Sequence, residues 1–294
     1  MFNYRRPVAS FTRNSIRSAT PLTLDQLARY TPSVLADEAH HSCSDEYSFI
    51  PTIQIVRDLF DHGFAPYSAA QSNTRIADKR AYTKHVLRFR HADFKAPSMV
   101  GDVFPEVVLT NSHDGASSFQ LDSGFFRLVC TNGMVAPSAN GEQIRVRHTG
   151  NVSDNVIDGC TRILDELQIG VSRIEEFQSI QLSRDEQVAF ATAALQLRWG
   201  DGAAPVDGSA LLNINRHADV GNDLWKTLNK VQEAVVRGGL RGRNATGNRI
   251  VTRAVTGISE DIKLNKALWS LADSMAALKG GQSFSAAHDY AFAA

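Results

Sequence analysis

The sequence has few of the features that mark secreted or membrane-spanning proteins. Its 294 residues include three cysteines, Cys43, Cys130 and Cys160, which are too few and too scattered for a disulfide framework. No apolar run reaches the roughly 18 residues that a membrane helix needs, and no apolar segment follows Arg5 and Arg6. These absences predict a cytoplasmic protein without a membrane partner.

A net charge of either sign is also missing. The chain carries 31 basic and 31 acidic side chains, so it cannot coat nucleic acid by bulk charge, and any such contact must come from a local patch. Its 43% hydrophobic and 21% charged residues are ordinary values for a globular protein that is long enough for one large domain or two smaller ones.

A nucleotide-binding P-loop is the third absence. The glycine-rich segment 238–247 lacks G-x-x-x-x-G-K-[ST], and it follows a predicted helix where a P-loop follows a strand. The sequence therefore predicts no nucleotide cofactor, and no other cofactor is indicated.

Arginine is concentrated in one connection, residues 236–253, which reads V-R-G-G-L-R-G-R-N-A-T-G-N-R-I-V-T-R. No Asp or Glu lies between Glu233 and Glu260. Guanidinium groups bind phosphate in a bidentate manner, and glycines allow backbone amides to approach an anion. Because Arg237 falls in the last turn of a predicted helix, the helix dipole already explains it. The predicted phosphate contacts are therefore Arg241, Arg243, Arg249 and Arg253.

The first half of the chain has the alternation of short strands. Six segments rich in β-branched and aromatic residues are separated by turn residues: 64–75, 81–90, 105–111, 117–121, 125–131 and 144–148. No helical crossover lies between them, which predicts an antiparallel sheet. Turns are predicted at Ser123-Gly124 and at residues 131–133.

The second half has helical periodicity. Ser183 and Glu186 form a capping box, Asn222 is a predicted cap of the next helix, and Ser259 is predicted to begin the last one. The fold class is therefore α+β, with an antiparallel sheet in the N-terminal half followed by a mainly helical C-terminal half. The predicted organisation is a flexible basic arm at 1–20, a sheet region with short helices at 21–150, a helical region at 151–280 and a loose tail at 281–294.

Two strands carry basic rows. Lys84, Arg88 and Arg90 share one face by the two-residue alternation of a strand, and Arg145 and Arg147 repeat the pattern. One interpretation is a solvated outer face of the sheet. The other is a groove in which Lys84, Arg88, Arg145 and Arg147 contact phosphates, with Tyr82 or Phe89 stacking on bases.

No catalytic residue is predicted. His113 and Asp114 lie side by side with Ser112, and adjacent residues do not converge as a triad requires, so they indicate a polar turn with a possible functional role. Cys130 is predicted to be a small buried residue, with a thiol nucleophile beside His113 or His148 as the alternative.

No metal site is predicted either. Residues 40–46 contain five side chains of types that bind zinc, His40, His41, Cys43, Asp45 and Glu46. A structural zinc site needs four ligands with paired spacing, and no second Cys or His pair follows at a suitable distance.

Several strings resemble the phage- and plasmid-related family of domain of unknown function 932. They are L-T-L-D-Q-L-A-R-Y-T-P-S-V at 22–34, Y-S-F-I-P-T at 47–52, L-T-N-S-H-D-G-A-S-S-F-Q-L at 109–121, F-R-L-V-C-T-N-G at 126–133, V-R-H-T-G at 146–150, G-N-D-L-W-K-T-L-N-K-V-Q-E at 221–233 and R-G-G-L-R-G-R at 237–243. The resemblance covers nearly all of residues 20–280. It implies a setting on a mobile genetic element, and it supplies no reaction and no catalytic residues.

A second likeness concerns architecture. Antiparallel strands followed by a long helix resemble the phage single-strand annealing proteins of the Redβ/Sak superfamily, which form oligomeric rings on DNA. Three hypotheses follow. The first is a homo-oligomeric protein of a mobile element that binds or anneals single-stranded DNA without nucleotide hydrolysis. The second is a regulatory or anti-defence protein that binds another protein, and the third is an enzyme that uses His113, Asp114, Cys130 or His148.

Overall fold

Nine strands and six α-helices make up the described chain. The computed structural model describes residues 14–93, 103–127, 133–137, 144–145, 152–202 and 204–280. The strands are β1 Ser15–Arg17, β2 Phe64–Gln71, β3 His85–His91, β4 Val103–Asn111, β5 Gln120–Arg127, β6 Gly133–Val135, β7 Ile144–Arg145, β8 Arg241–Arg243 and β9 Arg249–Val251. The α-helices are α1 Leu24–Tyr30, α2 Thr52–Asp61, α3 Val152–Ser179, α4 Arg184–Trp199, α5 Leu224–Arg237 and α6 Ile258–Lys279. Four short 3-10 helices lie at Pro32–Leu35, Asp78–Ala81, Gly208–Leu212 and His217–Asp219.

The first seven strands form one antiparallel sheet. Its order is β1-β2-β3-β4-β5-β6, and β7 pairs with the first residues of β5. Each of these strands pairs with its neighbour in the chain, apart from β7, which confirms the antiparallel sheet predicted from the missing crossovers. Part of the predicted flexible arm is ordered, because Ser15–Arg17 is the edge strand paired with β2. Residues 1–13 lie outside the described residues.

Strand β5 is longer than the sequence suggests. Ser123 and Gly124 do not form a turn; they lie in the middle of a continuous strand, opposite Val107 and Glu106 of β4. A Cβ atom on Gly124 would lie 2.6 Å from Cγ2 of Val108 and 3.2 Å from the carbonyl oxygen of Met134. This glycine permits close packing between strands, and that role has the same sequence signature as a turn.

The helices pack on the sheet and on one another. Helix α3 contacts β4 and β5, α6 contacts β6, and α4, α5 and α6 contact each other. Helix α3 continues through Gly170, where a Cβ atom would lie 2.2 Å from Cζ of Phe125, so the glycine allows the helix to approach the sheet. The ring of Phe125 stacks on Trp269 of α6 with 5.2 Å between ring centroids. Sheet and helices therefore share one hydrophobic core, which confirms the α+β class.

Helix starts were predicted to within one residue. The capping box of Ser183 and Glu186 is present, while α5 is capped by Asp223 in place of Asn222, and α6 begins at Ile258. The C-terminal glycine of α2 is Gly63, with φ of 84°. No helix in the described ranges is long and apolar enough to cross a membrane.

The segment T-I-Q-I-V-R-D-L-F-D-H-G at 52–63 predicts a short helix that Thr52 caps and that packs through Ile53, Val56, Leu59 and Phe60. The buried face of α2 differs from this prediction. Ile55, Val56 and Leu59 are buried, whereas Phe60 is 63% exposed. The helix is rotated because Thr52, the predicted cap, is buried at its first turn and bonds other side chains. A polar residue at the start of a helix was therefore taken for a solvent-facing cap when it belongs to the core.

Candidate nucleic-acid interface

The arginine-rich connection is a two-stranded ribbon. Strand β8 follows α5 after a tight turn at Gly238 and Gly239, and β9 returns the chain toward α6. In the antiparallel register Arg243 lies opposite Arg249, and Arg241 lies opposite Val251. Directly opposed residues of an antiparallel pair project to the same side. We call this element, strands β8 and β9 with Arg241, Arg243 and Arg249, the arginine ribbon.

Packing on the loop before the 3-10 helix Gly208–Leu212 fixes which face of the ribbon is outside. Gly242 and Ile250 form the inner face, and a Cβ atom on Gly242 would lie 2.0 Å from the carbonyl oxygen of Pro205. The backbone amide of Arg243 donates to that same oxygen over 2.9 Å. The three arginines of the ribbon are therefore held on the exposed face.

Hydrogen bonds attach the base of the ribbon to the helices. Thr252 is 7% exposed, and its hydroxyl and carbonyl oxygens accept from the amides of Leu240 and Gly239 over 3.0 and 2.8 Å. The amide of Val255 donates to the carbonyl of Val236, the penultimate residue of α5, over 2.8 Å. The ribbon is thus a fixed projection from α5.

The tip of the ribbon is closed by Asn244. Its side-chain oxygen accepts from the amides of Thr246 and Asn248 over 3.1 and 2.8 Å, as in a side-chain turn. Arg243 donates from Nη1 to the carbonyl oxygen of Gly247 over 2.7 Å, which orients its guanidinium toward the tip. The sequence signal of this hairpin is an alternating pattern, R-x-R and R-x-V, on either side of N-A-T-G-N. The pattern was missed because the glycines in the segment indicated an irregular loop.

Four arginines of this region are exposed: Arg241, Arg243, Arg249 and Arg253. None of them forms an ion pair with another described residue. Arg237 ends α5 as predicted and pairs with Glu233, whose carboxylate also binds Arg216 over 2.8 Å. The last carboxylate before the ribbon is thereby neutralised, and the ribbon has a positive surface.

Among the predicted strand contacts, Lys84 bonds to the helix that follows the ribbon. Its Nζ atom lies 2.6 Å from Oγ of Ser259 at the start of α6. Ser259 follows Arg253 by six residues, which limits the Cα separation to roughly 22 Å. Lys84 is half-buried.

Arg88 was predicted to contact phosphate, and its surroundings contradict that. It is 6% exposed, and its Nη1 atom lies 3.5 Å from Oε2 of Glu106 and 3.2 Å from the carbonyl oxygen of Met134. Arg90 donates from Nε to Oε1 of the same glutamate over 3.0 Å, and its guanidinium lies 4.0 Å from the ring centroid of Phe104. We call Arg88 and Arg90 the buried arginine pair.

The physical reason is that both faces of the central strands are covered. All but the first residue of β4 and of β5 are buried, including the positions that alternation assigned to solvent. The solvated outer face that was the alternative interpretation is therefore also wrong for Arg88. Phe89, a proposed stacking residue, is fully buried, and Tyr82 is half-buried with its ring 5.1 Å from that of His40.

The second basic row can be located only in part. Arg145 lies in β7 and pairs with Gln120, and its side chain is outside the described atoms. Arg147 lies outside the described residues, as do Cys130 and His148. The structure therefore brings Arg241, Arg243 and Arg249 together on the ribbon, with Arg253 two residues beyond it; Lys84 bonds to the start of α6, and Arg88 is buried in the sheet.

The predicted functional turn at His113 and Asp114 is polar, but it does not expose His113 to solvent. The imidazole is fully buried, whereas Asp114 is half-buried and accepts from the amide of Ala116 over 3.1 Å. Gly115 has φ of 77°, as expected for the tip of a turn. His113 belongs to the core, where its Nε2 atom lies 3.2 Å from Oγ1 of the buried Thr52.

Thr52 connects His113 to a second buried histidine. Nδ1 of His85 lies 3.0 Å from Oγ of Ser33 and 3.3 Å from the carbonyl oxygen of Thr83, and Nε2 lies 2.9 Å from the Thr52 hydroxyl. Burial, and next the neighbouring His113, lower the pKa of His85 to about 3. Burial also lowers the pKa of His113 to about 4. Both imidazoles are neutral at physiological pH and serve packing.

Comparison with known proteins identifies relatives over most of the chain. The model of the family described as "Domain of unknown function (DUF932)" matches residues 39–269. The UPF0380 protein YfjQ of Escherichia coli (strain K12) is 42% identical over 262 residues, which are 89% of this chain and 94% of the relative. The UPF0380 protein YafZ of the same organism has the same identity and coverage. No solved structure matches the chain significantly.

Proposed function

Because the chain belongs to the family of domain of unknown function 932, whose description assigns no activity, we propose a function from its own geometry: it binds single-stranded DNA through the arginine ribbon. The observation that carries the proposal is the register of β8 and β9. It places Arg243 opposite Arg249 and puts Arg241 on the same exposed face, in a segment free of carboxylates.

The ribbon suits a phosphate backbone by its spacing. Opposed Cβ atoms of an antiparallel pair lie about 5 Å apart, and side chains two residues apart on one strand lie about 7 Å apart. Three guanidinium groups at these distances can bind successive phosphates of one strand, each with two parallel hydrogen bonds. Arg253 is exposed two residues beyond β9 and adds a positive charge near the base of the ribbon, and we include Lys84, which bonds to the start of α6, as a further contact of the proposed site.

The proposed activity is binding or annealing and includes no nucleotide hydrolysis, since the chain has no P-loop motif. Its setting is a mobile genetic element, as the family resemblance implies, and the DNA-bound form is a homo-oligomer. Light scattering after size-exclusion chromatography, with and without an oligonucleotide, tests the oligomer. A particle that stays monomeric in both conditions contradicts that part of the proposal and leaves the DNA contact intact.

The DNA contact is tested by fluorescence anisotropy with a labelled oligo-dT across a salt series. Each phosphate contact on a single strand contributes about −0.7 to the slope of log K against log salt. The Arg241→Ala/Arg243→Ala/Arg249→Ala variant should therefore show a slope shallower by about 2, together with weaker binding.

A matched control separates the site from overall charge. Arg57, Arg75 and Arg80 are exposed arginines of the N-terminal half, and replacing all three with alanine changes the net charge equally. The control should bind as the unmodified protein does. Equal losses of affinity in both triple variants, or a flat salt dependence, contradict the proposal. A two-stranded β-ribbon also fits the major groove of a duplex. Duplex DNA that binds as tightly as the single strand therefore contradicts the proposed preference for single strands.

One observation favours a second function, the binding of an acidic protein by a regulatory or anti-defence protein. Val251 is 58% exposed on the arginine face of the ribbon, opposite Arg241. An apolar residue among arginines is typical of protein interfaces. Val251→Ser should leave oligo-dT affinity unchanged if DNA is the ligand, and it should weaken capture of a protein partner in the alternative case.

A further inference from the structure

Three side chains that can bind a metal ion meet beside the first 3-10 helices. His40 and His41 come from the loop after Pro32–Leu35, and Asp78 is the first residue of the 3-10 helix Asp78–Ala81. One ligand atom from each lies within 4.8 Å of the others. The sequence predicted no metal site because no second Cys or His pair follows His41, and the third group comes from a distant carboxylate.

We infer that His40, His41 and Asp78 form a binding site for a divalent transition-metal ion of the Zn²⁺ class. Imidazole nitrogen and carboxylate oxygen are ligands that Zn²⁺ accepts, at about 2.0–2.2 Å. In a tetrahedral arrangement, ligands at that distance lie roughly 3.4 Å apart. Nε2 of His40 and Oδ2 of Asp78 are already 3.4 Å apart.

The three groups differ in how firmly they are held. His40 is 3% exposed, and its backbone amide donates to the carbonyl of His113 over 2.8 Å, so its ring is part of the protein interior. The His41 side chain is exposed, and that of Asp78 is 57% exposed. Rotation of these two solvent-facing side chains can close the remaining distance around the fixed ring of His40.

Ser42 supplies the outer contact that a metal-binding histidine needs. Its Oγ atom lies 2.7 Å from Nδ1 of His40 and can accept the proton of that nitrogen when Nε2 binds the ion. In the metal-free protein the backbone amide of Ser42 donates to Nδ1 over 3.1 Å, so Nε2 carries the proton toward Asp78. Metal binding therefore moves this proton from Nε2 to Nδ1, which replaces the bond from the Ser42 amide by one to the Ser42 hydroxyl and leaves the charge of the ring unchanged.

Three protein ligands leave a fourth position for water. Because two of the ligands are exposed, that position faces solvent, as in zinc sites that exchange a ligand. The site does not depend on the proposed DNA contact, since none of its residues belongs to the ribbon.

The test is a Zn²⁺ titration of the tag-free, chelator-treated full chain against a chromophoric chelator. We expect one ion per chain, and at least a tenfold loss of affinity in both His41→Ala and Asp78→Asn. These exposed positions are chosen because replacing the buried His40 could unfold the protein. Circular dichroism of each variant should match the unmodified protein.

His91 provides the matched control. Its Nδ1 atom lies 3.4 Å from Oδ2 of Asp93, the same pair at the same distance, but no third ligand joins them in the described chain. His91→Ala should bind Zn²⁺ as the unmodified protein does. Co²⁺ added to the unmodified protein should give the visible absorption of a tetrahedral complex, and His41→Ala should remove that absorption. Absence of binding, binding unchanged in His41→Ala and Asp78→Asn, or an equal loss in His91→Ala overturns the inference.

Discussion

The arginine ribbon and the buried arginine pair use the same residue in opposite ways. In the ribbon, Arg241, Arg243 and Arg249 are exposed in a segment without carboxylates. In the sheet, Arg88 and Arg90 share the carboxylate of Glu106, which is 1% exposed. Alternation along a strand predicts basic rows in both places. What separates them is whether another layer covers the strand, and a single strand's sequence carries little information about that.

Removing the shared carboxylate should have the largest effect on this contrast. Glu106→Gln removes the buried carboxylate that Arg88 and Arg90 share, and we expect the free energy of unfolding in urea to fall by about 3–5 kcal/mol. The same change at Glu260, which pairs with Arg198 and is 52% exposed, should cost less than about 1 kcal/mol. Equal losses at the two positions would remove the distinction between buried and exposed arginine pairs.

Acid should weaken the sheet region through His85. Its pKa of about 3 when folded lies below the unfolded value of 6.5, so the unfolded chain takes up a proton first as the pH falls. The contribution of His85 to stability is complete above pH 6.5 and declines by about 1.4 kcal/mol per pH unit down to about pH 3.

Urea unfolding at a series of pH values measures this decline. His85→Gln should flatten the curve below pH 6.5 by that slope, whatever its effect on stability at neutral pH. A curve parallel to that of the unmodified protein would mean that His85 is accessible to protons in the folded state.

Gly242→Ala should disturb the ribbon from its inner face. The added Cβ atom meets the carbonyl oxygen of Pro205 at 2.0 Å, and a backbone contact cannot rotate away, so we expect a loss of about 1–3 kcal/mol in urea unfolding. Gly257→Ala is the control, because its Cβ atom would have no neighbour closer than 3.6 Å. A neutral Gly242→Ala would show that the ribbon is not packed on this loop.

The exposed arginines should matter least to stability. Arg241→Ala, Arg243→Ala and Arg249→Ala should each change the free energy of unfolding by no more than about 0.5 kcal/mol, because surface positions contribute little. Thermal unfolding followed by circular dichroism tests this. A loss above about 2 kcal/mol in any of them would assign that arginine to the structure of the ribbon, and it would then resemble the buried pair.

Most of the fold could be predicted from sequence because its signals are local. Short alternating strands without crossovers specify an antiparallel sheet, and the capping box at Ser183 specifies a helix start. Ser123-Gly124 was wrongly predicted to be a turn because the same dipeptide occurs in turns and at places where two strands pack closely. Thr52 misled because its partners, His85 and His113, are distant in sequence.

The candidate sites were predicted less completely than the fold. The four exposed arginines were found because charge and glycine concentrate within 18 residues, from 236 to 253. The hairpin that orders them was missed, although its alternation is visible. Asp78 could not be assigned to His40 and His41 from sequence, because their proximity depends on the path of β2 and the loop that follows it.

The bonds of Thr252 have an energetic consequence for association. Arginine-rich segments that are disordered when free lose chain entropy as they order on a nucleic acid. Here Gly239, Leu240 and Thr252 are already joined by three hydrogen bonds before any ligand arrives. The ribbon is thus preorganised, and amide hydrogen exchange at its base should be slow in the free protein and nearly the same once a ligand is bound.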